Sequence, residues 1–485
     1  MAKLTKSDLT AGILKAIGIF GGVEMIKIIC SIVRSKFIAI WIGSVGVGLF
    51  GIYNTTIDLL SIFFQLGIRD SAVRDIAKSN KSEIPRIAVI VRRWALILGI
   101  FGLISTIALS PALSLFTFDD NSHTVAFLAI ALIIFMSSIQ SGELAILQGT
   151  QRINLLAKAS MYGVLIGVAI SIPMFYIWGI NSVIPALLVY SVSTTIAILS
   201  QRVKIQKPTP PISFKETINK GQGFITLGIY LTISAIVTNL SSFIFMSYLN
   251  KEGDISTVGY YNAGYVMINK YVGVIFIAIA MEYYPRLANV ITSNKRISTF
   301  VSHEMSIALW VLLPIIATFI AINEFIIPLL YSKEFLSATP FIIWATIGTI
   351  FRAISWCMAF VILARGDGKT YLLTESLSGI TYVTLNIFAY HNYGIEGLGI
   401  AYMTWYIIYT IIVAIIYHYR YNLCLNKNTY RLIFISIAIS LTSTLSYKFI
   451  GWQIPALIAL VTIPFSIKYI LHKKRNTTQR VNSCH

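Results

Sequence analysis

The chain has 485 residues, of which 56% are hydrophobic and 12% charged, and a formal net charge of +19. Its strongly positive mean hydropathy excludes an ordinary soluble globular domain, and no polar stretch is long enough to form one separately. Apolar runs of about 18 to 25 residues recur throughout, each long enough to cross a hydrocarbon core about 30 Å thick.

In chain order, the first predicted span is Ala11–Val33. Lys3 and Lys6 precede it as in a signal peptide, but it is long, carries Lys15, Glu24 and Lys27, and lacks a clear small-residue cleavage site. It reads as a retained helix. Glu24, Lys27, Ser31 and Arg34 share one helical face. The second span, Val47–Ile68, repeats the pattern with Asn54, Asp58, Ser61 and Gln65. Gly46, Gly48 and Gly51 at its start match the spacing of a dinucleotide fingerprint, but no strand precedes them, so they read as a close-packing surface. Spans three to six are Trp94–Phe116, Thr124–Leu147, Ala159–Trp178 and Val183–Leu199. After a Pro-containing basic segment, span seven, Phe224–Leu249, offers Thr226, Tyr230, Ser234, Thr238 and Ser241. Span eight, Gly259–Met281, offers Asn262, Tyr265 and Asn269, with Lys270 on the adjoining edge. Span nine is Met305–Leu330, and span ten, Phe341–Leu363, carries Arg352 and Trp356. The last four are Tyr371–Tyr390, Leu398–Tyr417, Leu432–Ile450 and Pro455–Leu471. The predicted fold class is therefore all-α, a polytopic membrane helix bundle of about fourteen transmembrane helices.

Charge placement gives the orientation. The segments on the side of both termini hold 28 of the 38 Lys and Arg residues, whereas the opposite loops hold Lys251 and Lys333, the other eight, Arg34 and Lys36 among them, lying within spans or at their ends. Both termini are thus expected in the cytoplasm, and topology accounts for the charge without a nucleic-acid partner. The basic inner loops also suit anionic membrane lipids. Cys30, Cys357, Cys424 and Cys484 form neither a disulfide framework nor a metal set. The six histidines fall at loops or helix ends, Gly368–Thr370 lacks the first glycine of a phosphate loop, and Asn476 with Thr478 sits in a predicted cytoplasmic tail.

An internal repeat is present. Val47, Gly48, Leu49, Phe50 and Tyr53 echo Val258, Gly259, Tyr260, Tyr261 and nearby Tyr265 at an offset of 211, and Leu147 with Gly163 echoes Leu363 with Gly379 at 216. This predicts two six-helix lobes in parallel repeat. The expected domains are an N-lobe over 1–200, a cytoplasmic linker over 201–222, a C-lobe over 223–420, and two final helices with a tail over 421–485.

Polar residues buried in hydrocarbon are the functional candidates, because a charge at mid-helix costs about 2.5 to 3.5 kcal/mol on the insertion scale. Asp58, Lys270 and Arg352 each lie roughly 16 to 18 Å from the outer end of their spans. The alternatives are structural. Glu24 and Lys27 have the spacing to neutralise one another, Arg34 can snorkel, and Glu143, Glu282 and Glu375 lie near inner helix ends.

Several segments carry a family resemblance: Gly43–Gly51 (GSVGVGLFG), Gln65–Arg69 (QLGIR), Leu147–Gln151 (LQGTQ), Phe335–Trp344 (FLSATPFIIW), Leu363–Glu375 (LARGDGKTYLLTE) and Tyr393–Tyr402 (YGIEGLGIAY). Through them the chain resembles bacterial polysaccharide flippases, the lipid-linked oligosaccharide or O-antigen translocases, within the superfamily that includes multidrug and toxin extruders. The resemblance implies a transporter that moves undecaprenyl-diphosphate-linked glycan from the cytoplasmic to the outer leaflet by alternating access through a cationic cavity. It implies no cofactor, a proton or sodium gradient as the energy source, and a glycan polymerase and chain-length proteins as partners. The last two helices depart from the twelve-helix core of several such translocases.

The residues supply matching chemistry, since a diphosphate needs cations and a glycan needs amides and aromatic faces. Lys27, Arg34, Lys270, Arg352, Asn54, Asn269, Tyr265 and Trp356 are the candidate substrate-binding set, and Asp58 with Glu24 the candidate ion-coupling pair. Two other readings stand beside this one. A cation-coupled drug antiporter of the same superfamily would rely on Asp58 and Glu24 with a less cationic cleft. A membrane glycosyltransferase or polymerase would need catalytic acids in a sizeable loop, but the predicted outer loops are short and their acids scattered.

Overall fold

The computed structural model describes residues 6–80, 82–202, 212–217, 229–273, 275, 276, 279, 283, 286, 287 and 290–482, with side chains from Gly21 to Tyr469 and at Leu471. Most of the predicted linker, the start of predicted span seven, much of the second half of span eight, and Cys484 lie outside these residues. Every described element is helical. Nine helical stretches among the described residues are long and apolar enough to cross a membrane, so the chain is a multi-pass membrane protein. Two of the nine are broken near the middle, one at a 3-10 turn over Gly179–Ser182 and one at Gly394, whose φ of 56° leaves the helical region.

The chain forms two compact units, Met1–Gly259 and Tyr260–His485. The first contains α1 (Lys6–Trp41), α2 (Gly43–Gln65), α3 (Ile68–Lys78), α4 (Ile84–Phe118), α5 (Thr124–Gly149), α6 (Ile153–Trp178), α7 (Val183–Ser200) and α8 (Ile229–Glu252), and the start of α9 (Ile255–Val266). Within it α4 packs on α5, α6 on α7, α1 on α6, and α8 on α2 and α4. Leu49, Tyr53, Leu60 and Phe64 of α2 join Phe127, Ile130 and Ile134 of α5 in one apolar core.

The small α3 was not expected. Mean hydropathy hides it among the seven basic residues from Arg69 to Arg93. Its Ile68, Ala72 and Ile76, spaced one turn apart, are buried. Leu66 and Gly67, both at positive φ, turn the chain out of α2 into it.

The second unit contains the rest of α9, which runs into a π-helical turn over Met267–Tyr271. Then come α10 (Asn294–Ala321), α11 (Asn323–Leu330), α12 (Thr339–Ala364), α13 (Gly368–Ile415), α14 (Lys427–Phe449) and α15 (Gln453–Asn482). Predicted span nine is corrected to α10, which starts eleven residues earlier and stops at Ile322. Its polar first turns escape a hydropathy window, and its end is marked by Asn323, whose Nδ2 donates to the Ile320 carbonyl at 2.6 Å. α12 packs on α13, and α10 receives both α14 and α15. The extended segment before α14 is laced to α10 at one-turn intervals. Asn294 donates to the Tyr421 carbonyl at 3.1 Å, Ser298 to the Cys424 carbonyl at 2.6 Å, and the Asn426 amide to Ser302 Oγ at 2.9 Å.

The turn from α12 to α13 is held by Asp367. Burial alone would raise its carboxyl pKa, but bonds from Thr370, Tyr421 and Arg420 bring it down to about 2.

Candidate substrate and coupling residues

In the first unit, the polar face of α1 is closed on itself at its lower part, where Lys27 Nζ donates to Glu24 Oε1 at 2.7 Å. Both side chains are more than one third exposed, and the i, i+3 spacing produces the contact. Arg34 does not simply snorkel. Its guanidinium lies 4.5 Å from the ring centroid of Phe50 on α2 and 4.8 Å from that of Tyr190 on α7, so two aromatic faces offset part of its desolvation.

The stripe on α2 divides in two. Ser61 meets Ser137 of α5 at 3.3 Å and Gln65 Nε2 donates to the same hydroxyl at 3.1 Å, which commits that half to packing. Above them Asn54 Nδ2 donates to the Phe50 carbonyl at 2.7 Å, and Asp58 is exposed. Glu143, expected to be structural, is 3% exposed and receives Arg92 Nε at 2.7 Å and Arg202 Nε at 2.9 Å.

In the second unit the chemistry gathers around Arg352, halfway along α12. Arg352 Nη1 donates to Asn269 Oδ1 at 2.7 Å, and Tyr402 of α13 donates to the same oxygen at 3.1 Å. The π-helical turn of α9 carries Asn269, and such turns recur at functional sites because they re-aim side chains. The guanidinium also lies 4.9 Å from the Phe276 centroid. Rings of Tyr265 and Tyr406 stand 6.4 and 4.9 Å from Tyr402. Every hydrogen-bond and aromatic partner of Arg352 among the described residues is neutral, so its positive charge is solvated by dipoles and rings and not cancelled.

The structure thus brings Arg352 and Asn269 into contact and sets Tyr265 beside them. Lys270 is exposed on the same π turn but does not bond Arg352. Trp356 packs in an aromatic core, stacked on Tyr283 at 5.5 Å and edge-on to Phe360 at 4.7 Å. Tyr402, Tyr406 and Phe276 were missed, as was Tyr190 beside Arg34. The one available signal was the i, i+4 spacing of Tyr402 and Tyr406, which looks like ordinary helix packing.

Comparison with known proteins gives the family and the fold. Residues 46–340, more than half of the chain, match the model of a family described as polysaccharide biosynthesis protein. The chain belongs to that family. Among solved structures, this family member is similar to a lipid II flippase, MurJ, in an inward closed conformation, with a TM-score of 0.69 at 14% identity over 94% of this chain and 100% of that one. An inward-facing multidrug resistance MATE transporter of the MOP superfamily gives 0.67 at 14% identity, covering 87% of this chain and 96% of that one. A MOP superfamily transporter from Pyrococcus furiosus, reported with a binding pocket of reversed polarity, gives 0.59 at 14% identity over 92% and 100%. No curated protein matches the chain. The family is thus that of polysaccharide biosynthesis proteins, and the fold is the one shared by these solved transporters.

Proposed function

We propose that the protein flips an undecaprenyl-diphosphate-linked glycan repeat unit from the cytoplasmic to the outer leaflet, with Arg352 as a contact for the diphosphate. The observation that carries this reading is a guanidinium at the middle of a membrane helix whose hydrogen-bond partner is an amide and not a carboxylate. A charge in that position is costly, and an anionic headgroup compensates it while the planar guanidinium engages two phosphate oxygens. Lys270 adds a second cation on the neighbouring turn, and Asn269 and Tyr265 supply amide and ring contacts for sugar. The polyprenyl tail remains in lipid, so membrane lipids are partners throughout, and a polymerase with its chain-length protein receives the product. Charge asymmetry supports the orientation, with both termini cytoplasmic. A proton or sodium gradient drives the cycle, with Asp58, exposed on α2, the acid that exchanges the ion. Glu24 is less suited because Lys27 already neutralises it.

The test uses the full chain in proteoliposomes with a fluorescent N-acetylglucosaminyl undecaprenyl diphosphate as probe. Arg352→Ala is expected to lower the flipping rate at least tenfold at normal protein abundance, and Arg352→Lys to lower it less, because a point charge replaces the bidentate fork. Asn269→Asp is expected to be as harmful as Arg352→Ala, since its carboxylate would occupy the guanidinium. Wild-type flipping by a well-folded Arg352→Ala protein would overturn the assignment. A drug antiporter would instead tolerate Arg352→Ala and lose cation efflux in Asp58→Asn.

A further inference from the structure

His123 sits at the junction between α4 and α5, at the end of the first unit that the charge asymmetry assigns to the outside. Its ring is stacked on Phe118 with centroids 3.7 Å apart and planes within 16°. Its Nδ1 meets the hydroxyl of Tyr53, on α2, at 2.7 Å. Tyr53 is 3% exposed and its ring touches both Phe118 and Phe127. One imidazole therefore closes the outer corner between α2 and the α4–α5 loop. The contact lies one residue from Asn54 and five from Asp58 on the α2 polar stripe.

We propose that His123 is a proton-binding site whose protonation from outside releases α2 from the α4–α5 loop and favours opening of the outer end of the first unit. In the neutral ring with its hydrogen on Nε2, the tautomer this switch uses, Nδ1 accepts from the Tyr53 hydroxyl. A protonated Nδ1 becomes a donor, so the Tyr53 hydroxyl must turn to accept from it and its own hydrogen loses its acceptor inside a buried site. The imidazolium must also hold its charge in a half-buried position, where the face of Phe118 offsets only part of the lost hydration.

The surrounding charges do not reverse this balance. On the same loop Asp120 favours the imidazolium, but its carboxylate is bonded to the amide and hydroxyl of Ser122. Asp119 is taken by Lys251 of α8 at 2.6 Å. Tyr53 is the titratable group that α2 presents, and α5 presents Phe127. Burial accordingly lowers the His123 pKa, and Asp120 raises it by less.

The sign follows from linkage. The closed corner holds His123 below its ordinary value of about 6.5, whereas the open corner returns it to water. The closed form therefore binds the proton less well. Closure is fully present above about pH 6.5 and is lost as the pH falls toward the lower closed-state value. Each pH unit between the two titrations changes the closed-to-open ratio about tenfold.

This proposal does not depend on the identity of the transported lipid. It is tested on the full chain in nanodiscs, with spin labels at Ile40→Cys and Val125→Cys after replacement of the native cysteines by alanine. The label distance is expected to lengthen between pH 8 and pH 5, with a midpoint at or below 6.5. His123→Gln should keep the short distance throughout, and Tyr53→Phe should lengthen it already at pH 8. Histidine NMR, with the His123 signal assigned by its loss in the Gln variant, gives the pKa directly. A pH-independent distance in the parent protein, a pH response that survives in His123→Gln, or titration of His123 above 6.5 overturns the proposal. Acidifying one side of a proteoliposome at a time then identifies the side from which the proton comes, which separates a failure of the predicted topology from a failure of the switch.

Discussion

At the scale of single residues, what separates the buried charges is the company each keeps. Glu143 is enclosed and answers two arginines, one of them only 18% exposed and the other 50%. Removing its charge takes the carboxylate from Arg92 in a poorly hydrated place, whereas Arg202, half exposed, can turn to water. Glu143→Gln is therefore expected to destabilise the protein toward the lower end of the roughly 3–5 kcal/mol seen when a buried pair loses one partner. Arg202→Ala should cost no more than about 1 kcal/mol, as for an exposed pair. Thermal unfolding in detergent of the two variants checks the order. Much of this was legible beforehand, because spacing alone predicts that Glu24 can reach Lys27, and an acid near an inner helix end predicts a structural pair. The partners of Arg352 and Arg34 were not legible. They come from helices distant in sequence, and a tyrosine or phenylalanine that solvates a guanidinium has the same signature as one that fills a core. The His123–Tyr53 contact was hidden for the same reason, since seventy residues separate the two.

Between elements, the approach of α2 to α9 depends on two glycines. A Cβ on Gly48 would strike the Ile255 carbonyl oxygen and one on Gly259 would strike the Ser44 carbonyl oxygen, while each Cβ would also come within about 3 Å of the other glycine's backbone nitrogen. These are the two glycines that the sequence repeat relates at an offset of 211. Gly48→Ala and Gly259→Ala should each force the helices apart at about 1–3 kcal/mol, the usual cost of overpacking. Because they relieve the same contact, the double variant should cost less than the sum. Gly22→Ala, where nothing lies within 4 Å, serves as the control, and thermal unfolding again gives the comparison. The composition of GSVGVGLFG made this packing surface readable as a surface but not its partner. The amphipathic α3 and the early start of α10 were not readable at all by hydropathy, because their polar residues dilute every window that contains them. The lacing of Asn294, Ser298 and Ser302 to the segment before α14 was equally silent, since one-turn spacing of small polar residues is common on any helix.

For the whole molecule, hydropathy carried the all-helical membrane architecture, because length and apolarity are what the bilayer itself measures. Orientation rests on a different physical quantity, the retention of Lys and Arg on the cytoplasmic side during insertion. With 28 of 38 basic residues on one side, against Lys251 and Lys333 in the opposite loops and Arg34 and Lys36 at the outer end of the first span, the bias is large enough to survive loss of several charges. Reporter domains fused after His485 or placed within Lys204–Pro208 are therefore expected in the cytoplasm, and one between Lys251 and Ser256 outside. The sharper test exploits the uneven distribution of the charges. The seven basic residues of Arg69–Arg93 stand between the second and third predicted spans, so replacing four of them by Gln should leave the reporters unmoved if the other inner segments suffice. Phosphatase activity from the reporter at residue 485, in either version, would show that the termini face outward. The assignment of His123 to the exterior would then be inverted, while its contact with Tyr53 and the direction of its response to protonation would remain as they are.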